Sequence, residues 1–121
     1  MYHIILKESD LIHENHFPAI ALINEAFHTD PLEFIHNLSL GIGSGYNYAS
    51  CSFWDELDDF DKANIPRFHG LRIVTEGNEE LVISMSELIL YLETACNTLA
   101  NAGVKDAPKM KKAIETLKAA N

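Results

Sequence analysis

Apolar positions recur at helical spacing most clearly after Ser84. Met85, Leu88, Ile89, Leu92, Ala95, Cys96 and Leu99 fall on one stripe, at the three- and four-residue intervals that bring side chains onto one helix face. Ser84-Met-Ser-Glu87 ahead of the stripe reads as a capping box, in which the serine hydroxyl and the glutamate carboxylate satisfy free backbone donors. Gly103 supplies the stop. A further helix is predicted from Asp106 to Lys109 onward, with Pro108 in its first turn and Met110, Ala113, Ile114 and Leu117 as its apolar face. Toward the other end, Phe17, Ile20, Ala21, Ile23, Ala26 and Phe27 predict a helix over about Phe17 to Phe27, with Pro18 in the first turn. Thr29-Asp30-Pro31 breaks the chain and restarts it. Asp30 is a good N-cap, Pro31 suits the first helical position, and a short helix burying Phe34, Ile35 and Leu38 follows to about Leu38.

The period then shortens. From Tyr46 to Trp54, Tyr46, Tyr48, Ser50, Ser52 and Trp54 share one face of a predicted strand. Asn47, Ala49, Cys51 and Phe53 share the other. Neither face is clearly polar, so partial cover on both sides is expected. Phe68 to Thr75 and Glu80 to Ile83 read as an antiparallel hairpin around Glu76-Gly-Asn-Glu79. Tyr2 to Leu6 is a short strand or an arm. The order predicts a single α+β domain over residues 1–121, with a small antiparallel sheet of about three strands packed with about four helices, two N-terminal and two C-terminal. A chain of 121 residues can bury a core of that kind without disulfides or metal.

Charge changes the picture. The formal net charge is −9. Residues 8 to 61 hold eleven acids and no Lys or Arg, whereas Lys105 to Asn121 holds five lysines against two acids. The balance opposes binding to nucleic acid or to anionic membranes, and favours salt-sensitive association with a cationic partner. No apolar run reaches the roughly 18 residues of a membrane span. The opening Met-Tyr-His-Ile-Ile-Leu-Lys has neither the basic region nor the cleavage site of a signal peptide. A cytoplasmic location is expected, and Cys51 and Cys96, each in an apolar-patterned segment, are expected to be buried free thiols.

The densest charge lies in Cys51-Ser-Phe-Trp-Asp-Glu-Leu-Asp-Asp-Phe-Asp61. Asp55, Glu56, Asp58, Asp59 and Asp61 put five carboxylates into seven residues, and the run is expected to leave the sheet as a loop. Phe53, Trp54 and Phe60 are threaded through it. Most charge runs are solvated surface, but aromatics beside a charge patch supply desolvated anchors. One of Trp54 and Phe60 is expected in the core and one in an interface, with Trp54 favoured as the anchor. Calcium binding is the competing chemistry. An EF-hand places acids at alternating positions with Gly sixth. Counting from Asp59, the fifth position is Ala63 and the sixth Asn64; counting from Asp55, the third is Leu57. The pattern fails, and no metal ligand or cofactor is predicted.

Other chemistry is sparse. Gly41-Ile-Gly-Ser-Gly45 has neither the dinucleotide-binding nor the Walker A spacing and reads as a turn. His13 and His16 lie three apart with no cysteine partner and match no zinc signature. No nucleophile elbow is present, and crowded surface acids do not make an acid–base pair without a pocket. No catalytic residue is predicted.

Four features in order resemble the immunity proteins of bacterial contact-dependent growth inhibition systems (the CdiI family), and most closely those that protect against ribonuclease toxins. They are the Leu40-Gly-Ile-Gly-Ser-Gly45 turn, the run from Cys51 to Phe60, Phe68-His-Gly-Leu71, and the hairpin leading into Ser84-Met-Ser-Glu87. The likeness spans roughly residues 32 to 102. Trp54 and Leu71 depart from it, standing where the family commonly has Pro and Val. The resemblance implies a non-enzymatic inhibitor that forms a 1:1 heterodimer with the C-terminal nuclease domain of a cognate CdiA toxin, its acidic face against a cationic cleft. Asp55, Glu56, Asp58, Asp59 and Asp61 would then pair with toxin Lys and Arg, and Trp54 would anchor. Tyr46, Tyr48, Glu76, Glu79 and Glu80 form a second tier. An acidic adaptor for some other basic protein is the alternative, and a metal-binding protein using the acidic run is a further one.

Overall fold

A computed structural model describes residues 5–121. Its elements run α1 (Phe17–Thr29), α2 (Pro31–Ser39), β1 (Ala49–Ser52), α3 (Asp59–Asn64), β2 (Leu71–Thr75), β3 (Glu80–Ile83), α4 (Met85–Asn101) and α5 (Ala107–Ala120), with single 3-10 turns at Glu8–Asp10, Glu14–His16 and Trp54–Glu56. The architecture is the expected small α+β fold: two helices, a three-stranded antiparallel sheet in the order β1-β2-β3, and two helices. It has one more helix than expected, because the acidic run forms α3 instead of an open loop.

The helix ends follow local chemistry. Asp30 caps α2 by accepting the Glu33 N–H at 3.1 Å, and Ser84 caps α4 by accepting the Glu87 N–H at 3.2 Å. Each such cap replaces water at an otherwise unpartnered donor and stabilises by about 1 kcal/mol. Gly103 ends α4 with φ +76°, the left-handed conformation that a residue without Cβ adopts at least cost.

The sheet is covered on one face. Register pairs Cys51 with Ile73, Ile73 with Leu81, and Leu71 with Ile83, and all of these are buried together with Ala49 and Thr75. α1 lies across all three strands, with Ala19, Leu22, Ile23 and Ala26 fully buried. α5 packs against both α2 and α4 through Met110, Ile114 and Leu117. Full burial of a Leu or Ile side chain contributes about 2 kcal/mol. On the outer face Ser50, Glu80 and Val82 are exposed while Ser52, Arg72 and Val74 are half-buried, so the outer side of β1 is covered only in part, as expected.

The predicted strand from Tyr46 to Trp54 is shorter, for two reasons. The Tyr46 N–H donates to the Ala49 carbonyl at 2.9 Å, which folds residues 45–50 back on themselves. Beyond Ser52, the Phe53 N–H donates to Glu56 Oε1 at 2.9 Å and turns the chain out of the sheet. β2 likewise begins at Leu71 and not at Phe68, because Gly70 takes φ +88° and a Cβ there would meet the Ile83 carbonyl oxygen. Of the predicted strand or arm at Tyr2 to Leu6, residues 1–4 lie outside the described residues. Leu6 is buried, and its backbone pairs with the Asn24 amide: the Leu6 N–H donates to Oδ1 at 2.8 Å and Nδ2 donates to the Leu6 carbonyl at 3.1 Å.

Candidate functional site

The acidic run is held in place by two of its own carboxylates. Glu56 Oε1 accepts the Phe53 N–H and the Gly43 N–H, each at 2.9 Å, which ties the glycine-rich turn to the acidic turn. Gly43 also lies so close to the Cys51 carbonyl oxygen that a Cβ would overlap it. The glycine there serves a close approach of backbone to backbone, not a phosphate. Asp58 caps α3, its carboxylate accepting the Asp61 N–H at 2.8 Å. Glu56 and Asp58 therefore build the site as well as charging it.

Asp55 and Asp59 are exposed and Asp61 half-buried. Among the described residues, the ion pairs are His13–Glu87, Arg72–Glu80, Lys109–Asp106 and Lys118–Glu93. None of them involves the acidic run. Its negative charge is left facing water.

Neither of the two aromatics belongs to the buried core, where one of them was expected. Trp54 is half-buried: its ring meets Phe68 edge to face at 5.5 Å and the Arg67 guanidinium stands 5.5 Å from its centroid. Phe60, on α3 between Asp59 and Asp61, is 73% exposed. Phe60 is the exposed apolar ring of the run, and Trp54 packs the acidic turn against Phe68 and Arg67.

The second tier lies at the other end of β1. The Glu76 N–H donates to the Tyr48 carbonyl at 2.6 Å, placing Tyr48 beside the hairpin turn with the exposed Glu76 and Glu79. Tyr48 also lines an apolar cleft of about 730 Å³ with Leu6, Leu11, Phe17 and Ile20. Glu80 is paired with Arg72 at 2.7 Å on the outer face of the sheet. Tyr46 is half-buried and meets Phe34 edge to face at 6.2 Å; burial raises its phenol above the usual value. Tyr46 is a packing residue, and the structure does not join the hairpin acids to the run at α3 in one cluster.

Both cysteines are buried and free. Burial pushes the Cys51 thiol up to about 11 and raises Cys96 as well. A thiol so protonated is no nucleophile at neutral pH.

One cluster has no counterpart in the sequence analysis. His13, His16 and Glu87 meet beside the first turn of α4, with one donor atom from each lying within 4.8 Å of the others. His13 and His16 were visible as a pair; Glu87, 74 residues beyond His13, could be found only in the fold. Among the described residues no helix is long and apolar enough to cross a membrane. No protein-family model matches this chain, and a search of curated proteins returns no match.

Proposed function

We propose that this protein is an immunity protein: it binds and neutralises the nuclease domain, of ribonuclease type, of a contact-dependent growth inhibition toxin, and it does so in the cytoplasm as a 1:1 complex. The observation that carries the reading is the exposed Phe60 set in the acidic run with Asp55, Asp59 and Asp61, carboxylates with no ion-pair partner among the described residues. A nuclease holds its substrate's phosphates with Lys and Arg. An acidic face complementary to that cleft speeds encounter and displaces RNA, and an exposed aromatic in it, buried on binding, supplies the apolar contact that slows dissociation. Inhibition by occupancy needs no catalytic group.

The test is a pull-down from the native host with the full chain as bait, first at low and then at high salt. Recovery of the C-terminal region of a very large secreted protein, released more readily at high salt, supports the reading. Capture of an ordinary basic cytoplasmic protein moves it to the acidic adaptor. With the partner in hand, Asp55→Lys with Asp59→Lys slows association and flattens its salt dependence, and Phe60→Ala speeds dissociation. Unchanged rates in all of these remove α3 from the interface.

A further inference from the structure

Two imidazoles and a carboxylate converge where the Glu14–His16 turn meets the start of α4. His13 Nε2 lies 3.1 Å from Glu87 Oε2. The His13 and His16 rings stand edge to face, their centroids 4.7 Å apart. We infer that His13, His16 and Glu87 form a binding site for a divalent transition-metal cation of the zinc type, which clamps the N-terminal segment onto α4.

The donor set suits such an ion. Two imidazole nitrogens and one carboxylate oxygen are ligands of Zn²⁺ and its neighbours, and three protein ligands leave a fourth position for water. Ligand bonds of 2.0–2.1 Å in a tetrahedron put donor atoms about 3.3 Å apart. The His13–Glu87 pair already stands at 3.1 Å. The remaining separations, up to 4.8 Å, close by side-chain adjustment of His13 and Glu87, whose side chains are 59% and 32% exposed, toward the buried His16.

The surroundings fit the role. His16 is buried at 5% exposure, and its Nδ1 lies 2.8 Å from the hydroxyl of the buried Tyr91. That hydroxyl in turn accepts the Ile12 N–H at 2.8 Å. Tyr91 thus holds the His16 ring at Nδ1, the kind of outer partner that fixes an imidazole's orientation in established metal sites. A surface ion pair would account for His13 and Glu87 alone. It does not account for a second, buried imidazole with its own supporting hydroxyl.

The site stands on residues separate from the acidic run and is tested without any partner. Full-length protein stripped with a chelator is titrated with Zn²⁺, Ni²⁺ and Co²⁺ by calorimetry and by thermal melting. The expected result is one ion per chain, a melting temperature raised by several degrees through preferential binding to the folded state, and visible absorption of a low-coordinate site with Co²⁺. His13→Ala and Glu87→Gln each weaken binding at least about tenfold while leaving the metal-free fold intact, and His36→Ala, an exposed histidine elsewhere, changes nothing. No binding of any of the three ions overturns the inference. So does binding that survives both His13→Ala and Glu87→Gln unchanged.

Discussion

Asp55, Glu56, Asp58, Asp59 and Asp61 are neighbours in the chain and remain neighbours in space. Glu87 meets His13 and His16 only because α4 packs beside the N-terminal segment. The two regions differ in support as well. Around the acidic run the carboxylates bond backbone N–H groups within a few residues, except for the link from Glu56 to Gly43. At the histidine cluster the supporting bonds, between Tyr91 and His16 and from the Ile12 N–H to Tyr91, each span more than 70 residues. A site built by distant segments exists only once the whole core has formed, and its stability is that of the fold.

The sharpest break in that comparison is Gly43→Ala. A Cβ overlapping the Cys51 carbonyl forces β1 and the glycine turn apart and costs about 3 kcal/mol. Denaturant melts should show the loss, and calorimetry should show the histidine cluster still binding metal below the lowered midpoint. An undiminished melting point would mean that the turn shifts freely and the acidic run is less well positioned than its bonds indicate.

Alkaline pH loads the other side of β1. The Cys51 thiol is raised from 9.0 to about 11 by burial. A group raised in the folded state contributes stability that is complete below its unfolded value and is lost as pH rises through the folded one. Unfolding free energy should therefore decline between pH 9 and 11, by about 2 to 3 kcal/mol for this group. Cys51→Ala should flatten that part of the profile, leaving the smaller slope from Tyr46, Tyr91 and Cys96, which burial also raises. At neutral pH, alkylation of Cys51 should await unfolding.

Tyr91→Phe tests the distant bonds directly. It removes the acceptor for the Ile12 N–H and the partner of His16 Nδ1, and a buried donor left unpaired costs about 2 kcal/mol. Metal affinity should fall with it. Within the acidic run, Glu56→Ala should cost about 1 kcal/mol, since two backbone donors lose a charged acceptor at an exposed site. Asp55→Ala and Asp59→Ala should stay within about 0.5 kcal/mol of the parent while still slowing association with a cationic partner. If Asp55 and Glu56 behave alike in melts, the division between building and charging residues is wrong.

Much of this molecule was legible in its patterns. The stripe from Met85 to Leu99 and its serine cap define α4, and Asp30-Pro31 opens α2 as expected. The misses have a common origin. Phe17 belongs to the apolar stripe of α1 yet is 47% exposed, while Leu22, outside the predicted stripe, is fully buried. A helix pressed across a sheet chooses its buried face by where the strands lie. The difference in exposure between Trp54 and Phe60 has the same cause: Phe68 and Arg67 arrive from beyond α3 and pack on the indole, so the more exposed ring is the one on the short helix.

Chain order and side-chain type were enough for the class of fold, the caps, the hairpin and the concentration of negative charge, because each rests on interactions between residues a few positions apart. Tertiary packing alone decided two things. It set which aromatic faces water, and that two histidines would find a glutamate at the foot of a helix 74 residues beyond the first of them. Those outcomes depend on burial and on contacts between distant segments, which no local pattern encodes.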